Sequence, residues 1–166
     1  MIKATDAVAA PPLAVSQWFN CPQPITLEGL RGKVVLVHAF QMLCPGCVMQ
    51  AGPQVARIWQ YYRQGPQHDQ VAVIGLHTVF EHHDVMTPAA LAVYLYEFRV
   101  PFPVGVDKAG VGGPIPQTMR AYRMQGTPTT LLIDAQGRLR KSHFGVESDQ
   151  SLIADIETLI AERATQ

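Results

Sequence analysis

The run VVLVHAF, residues 34–40, is the feature that most limits how this chain can fold. Six of its seven residues are apolar, and His38 is the exception. Such a run is typical of a strand covered on both faces, since a strand with one wet face would alternate apolar and polar residues. The run is much too short to cross a bilayer. We therefore expect a central strand between two other layers.

Strand and helix patterns alternate along the rest of the chain. Apolar and β-branched runs predict short extended pieces at 13–19 and 24–27, and strands at 71–78, 102–107, 129–134 and 138–144. Apolar residues spaced three and four apart predict helices at 47–62, 87–98, 117–123 and 148–160. Thr87 and Ser148 are expected to cap the second and fourth helix, and Pro53 to kink the first. This order predicts an α/β sandwich.

Length and charge narrow the classes of protein further. A chain of 166 residues suits one domain, 1–166, and the proline-containing start at 1–12 is expected to be flexible. Thirteen basic and thirteen acidic residues balance, so no net field attracts nucleic acid or an anionic membrane. The first residues lack the apolar stretch of a secretory signal, so we expect a cytoplasmic protein. A periplasmic protein whose leader has been removed is the alternative.

Two of the three cysteines, Cys44 and Cys47, are separated by two residues and lie between the predicted central strand and the first helix. The N–H groups and partial positive charge of a helix start stabilise a thiolate, which favours Cys44 as an attacking thiol and Cys47 as a buried resolving thiol. Half of a zinc site and two inert core thiols are the alternatives, although zinc needs two further ligands. Cys21 is expected to be a bystander, with an accessory redox role as the alternative.

A loop rich in histidine and acidic residues, HTVFEHHD, follows the strand predicted at 71–78. His77, His82 and His83 are metal-binding residue types, but groups of this kind are more often hydrogen-bonded on a surface. We therefore predict no metal here, and nothing in the sequence points to a cofactor. If a metal did bind, this loop and the cysteine pair would hold it.

Three stretches of the sequence resemble thioredoxin-fold thiol–disulfide oxidoreductases of the TlpA/ResA-like branch, which is related to the AhpC/TSA redoxins. They are ITLEGLRGKVVLVHAF before the cysteines, FRVPFPVGVD, and GTPTTLLIDAQGRL. The resemblance implies a thioredoxin-like sandwich, with a central mixed β-sheet flanked by helices, an N-terminal β extension and a central insertion. It also implies that Cys44 is the nucleophile, Cys47 the resolving thiol, and Thr127-Pro128 a cis-proline loop facing them.

Several positions depart from the family pattern. Leu43 stands where many members carry tryptophan, Gln50 where TlpA-like members often carry glutamate, and Pro53 one residue later than usual. Pro45-Gly46 reverses the thioredoxin dipeptide between the cysteines, which leaves the redox potential open. These departures affect the surface and the acid–base groups around the pair, but leave the pair itself intact.

His38 lies six residues before Cys44, where thioredoxins carry a buried aspartate. Strand alternation places it on the same face as Leu36 and Phe40, in the interior behind the cysteines. Two hypotheses stay open: a neutral core histidine, or a base that accepts the proton of Cys47 when that thiol resolves a mixed disulfide.

The resemblance implies that the chain reduces disulfides in protein or small-thiol partners and is itself recharged by a reductase or another electron donor. A peroxiredoxin-like peroxidase is one alternative. Val37 and Gln41 stand where peroxiredoxins carry proline and threonine, so a hydroxyl that would polarise peroxide is missing. A non-catalytic or metal-binding module with the same fold is the other alternative.

Overall fold

One mixed sheet of six strands forms the centre of the computed structural model, which describes residues 1–164. The strands are β1 (Val15–Phe19), β2 (Val34–Phe40), β3 (Val71–His77), β4 (Val104–Asp107), β5 (Thr129–Ile133) and β6 (Leu139–Phe144). Their order across the sheet is β1-β4-β3-β2-β5-β6, in which β2, β3 and β4 are parallel and the other pairings are antiparallel. The helices are α1 (Gly52–Gln64), α2 (Pro88–Glu97), α3 (Gln117–Ala121) and α4 (Asp149–Ala164).

Strand β2 lies between β3 and β5, and all seven of its residues are buried. The predicted central strand is therefore confirmed. Alternate residues point to opposite faces of a strand, and β2 contributes Val34, Leu36 and Phe40 to one core and Val35, Val37 and Ala39 to the other. The first core is covered by α1, α2 and α4, and the second by α3 and the segments around β1.

Most predicted elements are found within a few residues of their expected bounds, and both predicted caps are confirmed. Thr87 Oγ1 accepts the Ala90 N–H at 3.2 Å, and Ser148 Oγ accepts the Ser151 N–H at 3.1 Å. Strand β1 forms the N-terminal extension, and α2 with its flanking loops forms the insertion between β3 and β4. Within residues 1–164 no helix is both long enough and apolar enough to span a membrane.

The extended piece predicted at 24–27 is wrong as a strand. These residues lead into a 3-10 turn at Glu28–Leu30. Thr26 Oγ1 accepts the Gly29 N–H at 3.1 Å, so its hydroxyl favours a local turn over pairing with a strand. Ile25 and Leu27 still pack against the second core. The apolar pattern was a correct sign of burial but not of strand pairing.

The kink expected at Pro53 takes the form of a π-helical turn at Cys47–Ala51, directly before α1. The Gly52 N–H donates to the Cys47 carbonyl, five residues back. Proline has no N–H, and its ring clashes with the carbonyl four residues earlier in a regular helix. A wider turn relieves that clash, and such turns are frequent at functional sites. The cysteine pair therefore precedes an irregular helix start.

Residues 1–12, which the sequence predicts to be flexible, lie along the β5–β6 hairpin. The Ile2 N–H donates to the Arg140 carbonyl at 2.6 Å, the Leu139 N–H to the Val8 carbonyl at 2.9 Å, and the Ala10 N–H to the Gly137 carbonyl at 2.9 Å. This N-terminal segment pairs with the free edge of β6, and an exposed edge of that kind otherwise invites pairing with another chain.

Candidate active site

Cys44 follows β2 after three loop residues and begins the helical run that leads into α1. The Val48 N–H donates to its carbonyl at 3.0 Å, and the Cys47 N–H donates to its Sγ at 3.3 Å. The sulfur therefore accepts an N–H of the first helical turn, as the side-chain oxygen of a helix cap does. A thiolate at Cys44 would gain from that N–H and from the positive end of the helix dipole.

Cys47 lies in a different environment from Cys44. Its side chain belongs to the first core and is 1% exposed, whereas Cys44 is half-buried. Burial raises the pKa of the Cys47 thiol well above its usual range, and the hydrogen bond with Cys44 adds to the effect. The two thiols are therefore unequal, because one is accessible and the other is held protonated in the interior.

The segment Thr127-Pro128 faces the cysteines, and its peptide bond is cis, as predicted. The Cys44 thiol donates to the Thr127 carbonyl at 3.5 Å. A Cβ placed on Gly46 would lie 3.6 Å from Pro128 Cδ, so the turn between the cysteines rests against the proline ring. The structure thus brings together four of the five predicted site residues, which are Cys44, Cys47, Thr127 and Pro128.

A surface groove with a volume of about 300 Å³ opens at Cys44. One wall contains Thr127 and the other contains Phe80 and Glu81 from the loop after β3. Gln41 holds that loop, because its side chain accepts the Phe80 N–H at 3.1 Å and donates to Glu81 at 3.3 Å. The groove gives a partner molecule access to the sulfur of Cys44.

His38, the fifth predicted residue, is buried under the helical layer. Its ring stacks on Phe40 with the centroids 5.3 Å apart and the planes 4° apart, which confirms the predicted face. Burial lowers the pKa of His38 to about 4, so the imidazole is neutral at physiological pH. The interactions that set the pKa of Cys47 come from Cys44, Gln41 and Thr127 rather than from His38.

Tyr94 of α2 is a neighbour of the dithiol that the sequence analysis missed. It packs against the core that contains Cys47. Its pKa is raised to about 12, first by burial and then by the nearby thiols of Cys47 and Cys44. The signal was present in the apolar face of the second predicted helix, because Tyr94 lies three residues after Leu91. Only the folded structure shows that Tyr94 lies near the cysteines, because both belong to the first core.

The histidine-rich loop does not form a cluster. His77 is buried at the end of β3, where its Nε2 accepts the Met42 N–H at 3.3 Å, whereas His82 and His83 are exposed. Among residues 1–164 no group of three or more His, Cys, Asp and Glu side chains is arranged to hold a metal ion. Cys21 follows β1, an edge strand that β3 and β4 separate from β2.

The sheet order, the cis-proline segment and an accessible thiol beside a buried one define a thiol–disulfide oxidoreductase domain. The chain is 53% identical to the thioredoxin-like superfamily protein SPOA0173, and the two structures match with a TM-score of 0.85 over 92% of this chain and 96% of that one. The chain belongs to the thioredoxin-like superfamily.

Two other comparisons agree with this membership. The chain is 48% identical to a thiol-disulfide isomerase from Corynebacterium glutamicum, with a TM-score of 0.83 over 91% of this chain and 96% of that one. It is 33% identical over 150 residues to protein DipZ from Mycobacterium bovis and from Mycobacterium tuberculosis. That match covers 89% of this chain but only 19% of the DipZ chains. No protein-family model matches the chain.

Proposed function

We propose that the protein reduces disulfides in protein or small-thiol partners, with Cys44 as the attacking thiolate and Cys47 as the resolving thiol. The observation that carries this proposal is the asymmetry of the pair. Cys44 opens onto a groove and accepts a hydrogen bond at its sulfur, whereas Cys47 is 1% exposed. An accessible sulfur can meet a partner disulfide, and a buried thiol three residues later meets only the mixed disulfide that results.

Electrons and protons balance over two exchanges. The Cys44 thiolate attacks one sulfur of the partner disulfide, that S–S bond breaks, and the departing thiolate takes a proton from solvent. Cys47 then loses its proton and attacks the Cys44 sulfur, which releases the second partner sulfur as a thiolate. The partner has gained two electrons, and the protein holds a Cys44–Cys47 disulfide. A thiol-containing reductase or another electron donor must restore the dithiol.

The reducing direction, the compartment and the branch of the superfamily belong to the same proposal. Three cysteines in 166 residues do not suit a disulfide scaffold, which favours a reducing compartment such as the cytoplasm. The β1 extension and the α2 insertion support a place in the TlpA/ResA-like branch.

A finer part of the proposal is that His38 accepts the proton of Cys47 while that thiol resolves the mixed disulfide. His38 and Tyr94 lie on the side of the sheet that carries the buried thiol. Because burial lowers the pKa of His38 to about 4 and raises that of Cys47, a resting thiolate–imidazolium pair is disfavoured. The proton therefore moves only as the Cys47 sulfur bonds to Cys44, and it passes on to solvent afterwards.

The test combines alkylation at neutral pH with reduction of insulin and of a small disulfide by the recharged protein. We expect rapid alkylation of one thiol in the parent and in Cys47→Ser, and its loss in Cys44→Ser. Cys47→Ser should also accumulate a mixed disulfide with the substrate, because nothing resolves it. Cys21→Ser is the matched control and should reduce both substrates at the parent rate.

Two results would overturn the proposal. One is rapid alkylation of Cys44→Ser together with slow alkylation of Cys47→Ser, which would reverse the assigned roles. The other is insulin reduction no faster than that by the electron donor alone, with no intramolecular disulfide formed under mild oxidation. Inert thiols of that kind would favour a non-catalytic module. The peroxidase alternative predicts instead that hydrogen peroxide oxidises Cys44 faster than any disulfide does.

A further inference from the structure

A separate cavity of about 230 Å³ lies between the helical layer and the sheet, and shares no residue with the groove at Cys44. His38 and Phe40 of β2 line one side, and Tyr94 of α2 lines another together with Phe98, the residue directly after α2. Ala56 of α1 contributes a third. Every lining residue except His38 and Tyr94 is apolar. Cavities of this composition suit ligands that are largely apolar and carry few polar groups.

Gly75 of β3 shapes the aromatic side of this cavity. A Cβ at Gly75 would lie 3.1 Å from Phe102 Cε2 and 3.3 Å from Phe40 Cε1, closer than most contacts of a real Cβ. The glycine therefore lets both rings settle against the sheet. Phe40 and Phe102 present aromatic surface to the cavity, and aromatic rings favour offset-stacked or edge-on contact with another ring.

His38 and Tyr94 supply the polar groups of the lining, and His38 is the more deeply buried of the two. The side chain is 2% exposed, and its Nδ1 atom is buried with no hydrogen-bond partner within residues 1–164. Buried polar atoms almost always have a partner, and an unmade hydrogen bond carries a free-energy cost. The low pKa of His38, about 4, keeps the ring neutral, so an ionised ligand would find no counter-charge on it.

We propose that this cavity binds a small, neutral aromatic molecule with one hydroxyl group, its ring against Phe40 and Phe102 and its hydroxyl on His38. An apolar cavity of about 150 Å³ is already large enough for benzene, so 230 Å³ accommodates a ring with a substituent. The cavity shares no residue with the groove at Cys44, but it shares His38 with the proposed proton transfer from Cys47, so a hydroxyl bound to His38 would compete with that proton. It is too small for a drug-sized ligand, which usually needs about 300 Å³ or more.

The experiment uses p-cresol and toluene as probes, because they share a ring and a methyl group and differ by the hydroxyl. Each is titrated into the reduced protein of 166 residues, and binding is followed through the methyl NMR signals of Val48 and Ala56, which line the cavity. We expect saturable binding of p-cresol with a Kd of about 1 mM or tighter. Toluene should bind five- to tenfold more weakly, by roughly the value of one hydrogen bond.

Three variants separate the cavity from the rest of the surface. Ala56→Phe fills the cavity and should abolish binding of both probes. Val93→Phe adds the same ring at an exposed position of α2 outside the cavity, and should bind both probes like the parent. His38→Phe keeps a ring that can stack on Phe40 but removes the polar atoms, so p-cresol should fall to the level of toluene.

The proposal is overturned by non-saturable shifts up to tens of millimolar p-cresol (roughly tenfold or more above the expected Kd), or by equal affinity for both probes in the parent. Unchanged binding in Ala56→Phe would overturn it as well. Should Ala56→Phe fail to fold, the His38→Phe comparison and the location of the shifted signals decide instead. Thiol alkylation of Cys44 is measured in parallel, and its failure would bear on the proposed function only.

Discussion

At the scale of single residues, two buried imidazoles link the stability of the protein to pH. His38 and His77 are 2% and 1% exposed, and burial lowers the pKa of each to about 4. The unfolded chain protonates both rings below a pKa of about 6.5, whereas the folded chain stays neutral until about 4. Between these values the unfolded state binds more protons than the folded state. The contribution of the two neutral histidines to stability is therefore complete above pH 6.5 and is lost as the pH falls from 6.5 towards 4.

We predict that the free energy of unfolding of the reduced protein falls by about 2 kcal/mol per buried histidine between pH 7 and pH 5. Urea unfolding at pH 5, 6 and 7 measures it. His38→Phe should roughly halve the dependence, because only His77 remains. His68→Gln removes a side chain that is 57% exposed, and should leave the dependence as it is. Equal stability at pH 5 and pH 7 would contradict the prediction.

The proposed proton transfer from Cys47 to His38 makes a kinetic prediction. His38→Asn should slow the resolution of a Cys44 mixed disulfide at least tenfold, a modest fraction of what a general base contributes. Because the pKa of His38 is about 4, the effect should persist from pH 5 to pH 8, where the ring is neutral and can accept a proton. Stopped-flow measurement of resolution gives the rate.

Tyr94→Phe is the matched control for that kinetic measurement, because it keeps the ring beside the thiols and removes the hydroxyl. A parent-like rate in Tyr94→Phe and a slow rate in His38→Asn would support the assignment to His38. Equal rates in the parent and His38→Asn across this pH range would leave His38 as core packing. Thermal unfolding of each variant checks the fold independently.

At the scale of elements, Arg140 joins β6 to three other parts of the chain. Its side chain is 2% exposed and contacts Asp134 at 3.3 Å, after β5, and Glu162 of α4 at 2.5 and 3.1 Å. Its Nε donates to the Ile2 carbonyl at 2.8 Å. Removing the arginine takes away the hydrogen bonds of a buried guanidinium and the volume of a buried side chain, although Asp134 keeps its bond from the Arg138 Nε at 2.8 Å. The loss should still exceed that of an exposed ion pair.

We predict that Arg140→Ala lowers the free energy of unfolding by about 2–3 kcal/mol, the value of hydrogen bonds to charged groups. The matched control is Arg57→Ala, which breaks the pair with Asp149 at 2.9 Å, where the side chains are 60% and 40% exposed. That loss should be at most about 1 kcal/mol. Guanidinium unfolding of both variants measures the difference. Similar losses in the two would show that burial does not strengthen the Arg140 contacts.

Some features of the strands and helices could be predicted from the sequence, and others could not. A strand of seven mostly apolar residues needs cover on both faces, so the central place of β2 could be predicted. The position of the cysteines at a helix start could be predicted from the apolar spacing that follows them. The π-helical turn at Cys47–Ala51 could not be predicted, because the one extra residue in a wide turn leaves the apolar spacing of α1 nearly unchanged. Residues 24–27 have the burial of a strand, and only Thr26 signals a turn. Tyr94 comes near the thiols only through tertiary packing.

At the scale of the whole molecule, the N-terminal segment along β6 contributes to a sheet edge that would otherwise be open. Deleting residues 1–9 would remove the bond from the Leu139 N–H to Val8 and the partner of Arg140 at Ile2. We predict a Tm several degrees lower, at about 2–4 °C for each kcal/mol lost, and faster hydrogen exchange at Leu139. An unchanged Tm and unchanged exchange would support the flexible start that the sequence suggests.

The cysteines and the beginning of the chain lie at opposite ends of the sheet. Ala39 pairs with Thr129 next to the dithiol, Val35 pairs with Ile133 at the far end, and the hairpin turn bearing Gly137 continues beyond it. Arg140 contacts both Ile2 and Glu162, so the N-terminal segment and the last turns of α4 meet on one side chain. A protein immobilised on a bead or an electrode through either of these segments would present its dithiol to the solution.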